Sequence, residues 1–280
     1  LTVKIVTDST ADLPPGLAEE LNISVVPLKV HFGEEEFLDW IDLDSDNFFE
    51  KLAGSGVMPH TSQPSPADFV KIYREIAAES DQLISVHLSA KLSGTYQSAV
   101  IAKSELKHLD IEVIDSGLAS MALGIVVIEA ARAAKAGLAK EDIILQLKDN
   151  MAKVKVYFAV DTLEYLQRNG RIGKAAALVG GLLNVKPLLT LSDGVVAPKE
   201  KVRGKAKAQE RLIDIIGEEL GEEVRGKAVV LHGSELNRAL LLKEKLENRY
   251  KFSEIFISSI GAVIGTHTGP GVLAVGVLPE

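Results

Sequence analysis

From Lys4 to Met151 the chain alternates short apolar strand patterns with helical ones, an order that calls for a mostly parallel sheet with helices on its faces. Lys4–Asp8 and Ser24–Val30 read as strands, separated by a short helix whose start is marked by Pro14 and Pro15. Ser65-Pro66-Ala67-Asp68 predicts a helix start, with Ser65 as cap, Pro66 at the first helical position and Asp68 reaching back. Phe69, Ile72, Tyr73 and Ile76 then follow at helical spacing. A strand over Gln82–Leu88, a helix over Ser93–Leu106, a strand over Ile111–Ile114 and helices over Leu118–Ala136 and Lys140–Met151 complete this half.

The pattern changes after Val154. A strand over Val156–Val160 runs into a helix ending near Asn169-Gly170, and a small-residue helix covers Lys174–Leu183. Lys186–Leu191 and Val195–Val202 flank Ser192-Asp193-Gly194, the turn chemistry of a β-hairpin, which a purely parallel sheet would not contain. A helix over Lys205–Leu220, a strand over Ala228–His232, a helix over Glu235–Leu246, a strand over Ile255–Ile260, a glycine-rich turn and a strand over Val272–Leu278 follow. The expectation is an α/β protein of two domains. Residues 1–155 form the first, with a mostly parallel sheet, and residues 156–280 an α+β domain with a mixed or antiparallel sheet.

A length of 280 residues, 46% of them hydrophobic, is enough to bury a substantial core. The formal charge of -8 argues against nonspecific nucleic-acid binding, which draws on a dominant basic surface. Cysteine is absent, which removes disulfides, thiolate metal sites and thiol nucleophiles. Leu1 to Val6 enters a strand pattern without the basic and long apolar regions of a signal peptide, so a cytoplasmic protein is expected. The longest weakly polar stretch, Leu118–Ala134, is interrupted by Glu129 and Arg132 and is shorter than the roughly 20 residues of a membrane span. It reads as a buried helix.

Three segments concentrate hydroxyls, glycines and one histidine in turns: Thr61-Ser62-Gln63-Pro64-Ser65-Pro66, Leu92-Ser93-Gly94-Thr95-Tyr96 and Gly265-Thr266-His267-Thr268-Gly269-Pro270-Gly271. Hydroxyls and free amides at helix starts donate hydrogen bonds to an anion, and glycine lets a ligand approach the backbone. None of the three holds a carboxylate pair, a metal-ligand spacing or a phosphate-cradling lysine, so they point to a binder with no catalytic residue, metal or cofactor. Gly221 to Lys227 imitates a phosphate-binding loop, but Ala228 replaces the magnesium-binding hydroxyl and the motif precedes a strand instead of a helix. Serine-esterase and zinc-hydrolase motifs do not occur. Asp39, Asp42, Asp44 and Asp46 lack the glycine and terminal glutamate of a calcium loop and read as a solvated acidic loop.

These segments, with Thr7-Asp8-Ser9-Thr10-Ala11-Asp12-Leu13-Pro14, Gln97-Ser98-Ala99 and Tyr165-Leu166-Gln167-Arg168-Asn169-Gly170-Arg171-Ile172, stand in an order that resembles the DegV family of bacterial fatty-acid-binding proteins over almost the whole chain. The resemblance implies one palmitate-like long-chain fatty acid held between the two domains. It further implies that a separate ATP-binding kinase subunit phosphorylates the carboxylate, giving acyl phosphate for phospholipid synthesis. By family pattern Thr61 and Ser93 contact the carboxylate, His267 sits at the same end, and Arg171 and Arg203 lie on loops of that face, expected to dock the kinase partner; Ser62 and the Gly94 amide are further candidates at the carboxylate, with Thr266, Thr268 and Gly269 as the supporting loop. Transient contact with a membrane surface is also expected. Asn169 stands where the family often has glycine, and asparagine tolerates a left-handed backbone.

An acyl tail of about fifteen methylenes carries gross transfer energy on the order of 10 kcal/mol. The polar end therefore has only to avoid stranding a buried carboxylate. Taken one by one, the same residues have plainer readings. Ser93 is a helix N-cap, Thr61 a turn hydroxyl, and His267 a histidine bonded to backbone. Arg168, Arg171, Lys174 and the run Lys199, Lys201, Arg203, Lys205 and Lys207 read as solvated surface or as a docking patch for an acidic partner or anionic lipid. Two other functions compete: a stand-alone lipid hydrolase or transferase with Ser93 as nucleophile and His267 as base, and a storage or sensor protein.

Overall fold

The computed structural model describes residues 3–80, 82–180 and 185–280. In chain order the strands are β1 (Lys4–Asp8), β2 (Ile23–Val26), β3 (Lys29–Phe32), β4 (Glu35–Leu38), β5 (His60–Ser62), β6 (Gln82–His87), β7 (Asp110–Asp115), β8 (Lys155–Ala159), β9 (Val185–Ser192), β10 (Val195–Arg203), β11 (Arg225–His232), β12 (Lys251–Ser259) and β13 (Leu273–Pro279). The helices are α1 (Leu17–Glu20), α2 (Ser45–Ser55), α3 (Pro66–Ala77), α4 (Thr95–Glu105), α5 (Met121–Lys135), α6 (Lys140–Lys153), α7 (Glu164–Arg168), α8 (Lys205–Leu220), α9 (Leu236–Arg249) and α10 (Ala262–Thr268).

The alternation of the first half produces a four-stranded parallel sheet ordered β2-β1-β6-β7. The second half produces a six-stranded mixed sheet, β10-β9-β8-β13-β11-β12, antiparallel except where β11 meets β12. The protein is α/β, with one parallel and one mixed sheet. The hairpin between β9 and β10 turns on Asp193 and Gly194, both at positive φ (54° and 76°), the twist a two-residue hairpin loop requires. At the start of α3 the Ser65 and Asp68 side chains cap each other's backbone as the spacing predicts.

Helix α5 lies between the two large sheets, packing on β1 from one side and on β11 and β13 from the other. It is apolar almost all round because both faces are covered. Its charged end is paired: Arg132 holds Glu254 through two bonds of 2.7 and 2.8 Å, and Glu129 meets Lys227. In the six-stranded sheet the period-2 alternation sorts side chains onto two faces. Val156, Phe158, Leu231 and Ala274 face the α5 side, while Tyr157, Val230, Leu273 and Val275 pack under α8 and α9.

Several expectations are corrected. Ser24–Val30 is not one strand: Pro27, which has no N–H to donate, separates β2 from β3, and β3 joins β4 and β5 in a small antiparallel sheet. The acidic stretch is only partly a solvated loop. Asp44 caps α2 by accepting from Asn47 N (2.9 Å), and Asp39 is 1% exposed. The segment Gly265–Thr268 is helical, within α10, and turns only at Gly269. Helix α5 begins at Met121, after a Ser120 with φ of 54°. Lys174–Leu183 is a short 3-10 turn over Gly173–Leu178, and residues 181–183 of that prediction lie outside the described residues.

Candidate functional site

A cavity of about 430 Å³ lies where α10, β5, the residues leading into α4 and the start of α5 meet the inner face of the six-stranded sheet. Val156, Phe158, Leu191, Val196, Leu231 and Ala274 give it an apolar wall from five strands. Leu28, Leu92, Val263 and Ile264 extend that lining from other elements. Against this stand a few polar groups: Thr61, Ser62, Gln63, Ser93, Ser120, Arg171, His267 and Thr268. An apolar chamber with few polar groups is the usual form of a small-molecule site.

The polar groups come from distant stretches of chain. Strand β5 pairs with β3, setting Thr61 opposite Val30, and α10 brings His267 to it: Thr61 Oγ1 and His267 Nε2 are 3.0 Å apart. The other ring nitrogen, Nδ1, is shut off from solvent and has no hydrogen-bond partner among the described residues. Burial first, and the neighbouring Arg171 guanidinium second, push the His267 ring down to about 4, so it is neutral at physiological pH. A neutral ring leaves the pair one free donor whichever tautomer it adopts. If Nε2–H donates to Thr61, the threonine O–H is free; if threonine donates, Nδ1–H is free.

Ser93 is half-buried just ahead of α4, and its Oγ lies 2.9 Å from Thr95 Oγ1. The helix cap is Gly94, which makes no side-chain capping bond, so the reading of Ser93 as N-cap gives way to a position one residue earlier. A Cβ on Gly94 would collide with the Gln63 amide, which lies across it. Ser62 lines the cavity, but β alternation turns its side chain away from that of Thr61, and its Oγ bonds His31 Nε2 at 2.8 Å. Thr268 lines the cavity, with its hydroxyl on Ile264 O. Thr266 does not; it is buried and donates to Ala262 O (2.8 Å) inside α10. Gly269, at φ 73°, packs against the Tyr165 ring.

Arg171, expected on a docking surface, lines the cavity and donates to Leu92 O (3.1 Å) and Asn169 O (2.7 Å). One polar group of the lining, Arg171, is therefore charged, and it is exposed. Asn169 is not left-handed, with φ of -89°; Gly170 takes that conformation, and the Asn169 amide donates to Thr266 O (3.1 Å), tying α7 to α10. Arg203 lies outside the cavity lining, exposed at the end of β10. Ser93 and His267 are not hydrogen-bonded to each other, since each has another partner, and the nucleophile–base contact of a hydrolase is absent in this arrangement. Among the described residues no cluster of three or more histidines and carboxylates is arranged to hold a metal. No helix among them is long and apolar enough to cross a membrane.

Sequence reasoning passed over Gln63 and Ser120 as site residues. Gln63 stands inside a segment already singled out, whereas Ser120 was hidden in an apolar helical run. The apolar wall was legible only as strand alternation, with no local sign of which face would stay unfilled.

The DegV family model matches residues 2–280. The chain belongs to the DegV family. Protein DegV of Bacillus subtilis is 37% identical over 276 residues, 98% of each chain. A DegV family protein from Thermus thermophilus, described for its fatty acid binding, superposes with a TM-score of 0.94 at 36% identity over 100% of both chains. The solved structure of B. subtilis DegV, described as a fatty acid binding protein, gives 0.88 at 36% identity, also over 100% of both. These DegV proteins share the fold and the chain length of the present one.

Proposed function

We propose that this DegV protein binds one long-chain fatty acid, tail in the apolar chamber and carboxylate at the Thr61, Ser93 and His267 end. The observation that carries the reading is the chamber itself. Its volume of about 430 Å³ falls in the ~300–1,000 Å³ range of small-molecule sites, and its lining is mainly apolar, as burial of an acyl tail requires. The fatty acid binding of relatives at 36% identity supports the same reading. The lining combines elements from both sides of residue 155, consistent with a ligand between domains 1–155 and 156–280. Mass spectrometry of an organic-solvent extract tests this directly: one fatty acid per chain is expected, and a protein purified without lipid that also fails to take up palmitate refutes it.

The finer reading is that the protein has no turnover alone and presents the carboxylate to a separate ATP-dependent kinase subunit, yielding acyl phosphate for phospholipid synthesis. Arg171, the charged donor in the lining, is exposed and already engaged by Leu92 O and Asn169 O, so a carboxylate held by Thr61, Ser93 and the neutral His267 stays a competent nucleophile. Exposed Arg203, Lys201 and Lys207 supply positive charge for docking on an acidic protein, whereas Lys199 is paired with Glu219 and Lys205 with Asp161 and Glu235. Adding kinase subunit and ATP to the loaded protein is expected to consume ATP and lipid together. Arg203→Glu should reduce that rate with fatty-acid affinity unchanged; indifference to the charge reversal favours storage or sensing. Ester hydrolysis without ATP, lost in Ser93→Ala, would restore the hydrolase reading.

A further inference from the structure

Asp12, in the first of the motif segments, touches neither the lipid chamber nor the docking face, yet it is 1% exposed and fully engaged. Its Oδ1 accepts from Gly261 N (2.9 Å) and Trp40 Nε1 (3.3 Å), its Oδ2 from Ser120 Oγ (2.6 Å), and its main-chain oxygen from Ser258 Oγ (2.7 Å). One residue thus joins the 3-10 turn after β1 to the loop after β4, the start of α5, the end of β12 and the start of α10. Two of these connections reach the chamber. Ser120 lines it from a backbone at φ 54°, a region side chains seldom occupy. Gly261 precedes α10, which carries Val263, Ile264, His267 and Thr268 into the wall.

A helix of seven residues does not hold its own position, so α10 depends on its anchors. Asp12 and Asp39 secure the first turn, Asp39 by accepting from Val263 N (3.2 Å), and Asn169 and Thr61 secure the other end. Gly261 is required beside Asp12, because a Cβ there would strike the Trp40 indole and the Asp12 carboxylate. The arrangement keeps a carboxyl group out of water without a basic partner among the described residues: burial, and then the field of Asp39, raise Asp12 well above the ordinary carboxylate range.

We propose that Asp12 is a positioning residue for the head-group site, holding α10 so that His267 stays in register with Thr61 while Ser120 is kept in the chamber lining. The inference rests on the fatty-acid reading and adds to it a remote determinant of head-group recognition. Loss of the anchor lets α10 shift, which degrades recognition of the carboxylate more than burial of the tail.

The test compares the affinity of the purified full chain for palmitate with its affinity for hexadecanol, which has the same tail and no charge. Asp12→Ala is expected to lower the acid-to-alcohol preference at least fivefold with hexadecanol affinity within about twofold of the parent, a factor near 0.4 kcal/mol. Asp12→Asn retains an oxygen for Gly261 N and should restore the preference. An unchanged ratio in Asp12→Ala, an equal loss for both ligands, or failure of asparagine to rescue overturns the proposal. If Asp12→Ala does not fold, Ser258→Ala removes one tie to Asp12 from outside the chamber and should move the ratio in the same direction; no movement counts against the proposal. A parent protein that binds neither ligand would instead sink the fatty-acid reading itself.

Discussion

Ala274→Leu tests whether the chamber is a measuring cavity for the acyl tail. Ala274 lies on β13, opposite Phe158 of β8 and Leu231 of β11, 3% exposed and on the chamber wall. Leucine adds three carbons to the chamber wall, each close to one methylene of the tail in size. A tail that fills the space must then leave about three methylenes unburied. At ~0.8 kcal/mol for each, the loss is ~2.4 kcal/mol, or about 50-fold in Kd for palmitate. An acid three carbons shorter should lose almost nothing, so the chain-length optimum moves down by about three carbons. Displacement of a fluorescent fatty acid across a C10–C18 series reads both numbers, with a thermal melt to check that the added carbons have not overpacked the core. Equal weakening at every chain length, or no weakening at any, refutes the argument that tail volume sets affinity.

Thr61→Val keeps the shape of the side chain but removes the hydroxyl that His267 Nε2 meets, and should weaken fatty-acid binding by about 1–3 kcal/mol in calorimetry. Asp39 supplies a pH test. Burial raises its carboxyl to about 7, against an unfolded value near 4, so between these limits the folded chain holds a proton that the unfolded chain releases. Stability from this group is therefore present at low pH and lost as pH rises from about 4 to 7, by up to ~4 kcal/mol. Denaturant melts of Asp39→Asn should show a flatter pH dependence than the parent across that window; parallel curves would remove Asp39 as the cause. Gly265→Ala would set a Cβ 2.5 Å from the Phe48 ring, which is fully buried and has nowhere to swing, so a loss of about 1–3 kcal/mol in stability is expected by chemical denaturation.

The local rules that could be read along the chain were those that act over a few residues. The Ser65–Asp68 cap, the Asp193-Gly194 turn and the buried character of α5 all appear as their residues suggest. The site was legible as a set of segments but not as a geometry. Thr61 and His267 are 206 positions apart, and nothing near either indicates that they meet. Arg171 is exposed, as its charge suggests, but nothing in its setting between Gly170 and Ile172 shows that it also lines the chamber. Its place at the chamber follows from α7 docking on α10 through Asn169 and Thr266.

Asp39 is the clearest case of misdirection. Four aspartates close together in sequence suggest solvent, and Asp42, Asp44 and Asp46 are exposed. Asp39, just after β4, is buried because it lies against the start of α10, a partner that comes from the far end of the chain. The glycine-rich segment 265–271 misled in the opposite sense. Glycine-rich composition suggested a turn, but Gly265 serves close packing of α10 on Phe48 within a helix.

The order of apolar and polar residues determined by itself that this protein would be α/β, with a parallel sheet followed by a mixed one, because strand and helix periodicities are properties of neighbouring residues. Tertiary structure alone decided which sheet face would line a chamber, which hydroxyl would meet His267 and which carboxylates would be shut away from water. Those outcomes depend on contacts between residues hundreds of positions apart, and a pattern spanning a few residues does not encode them.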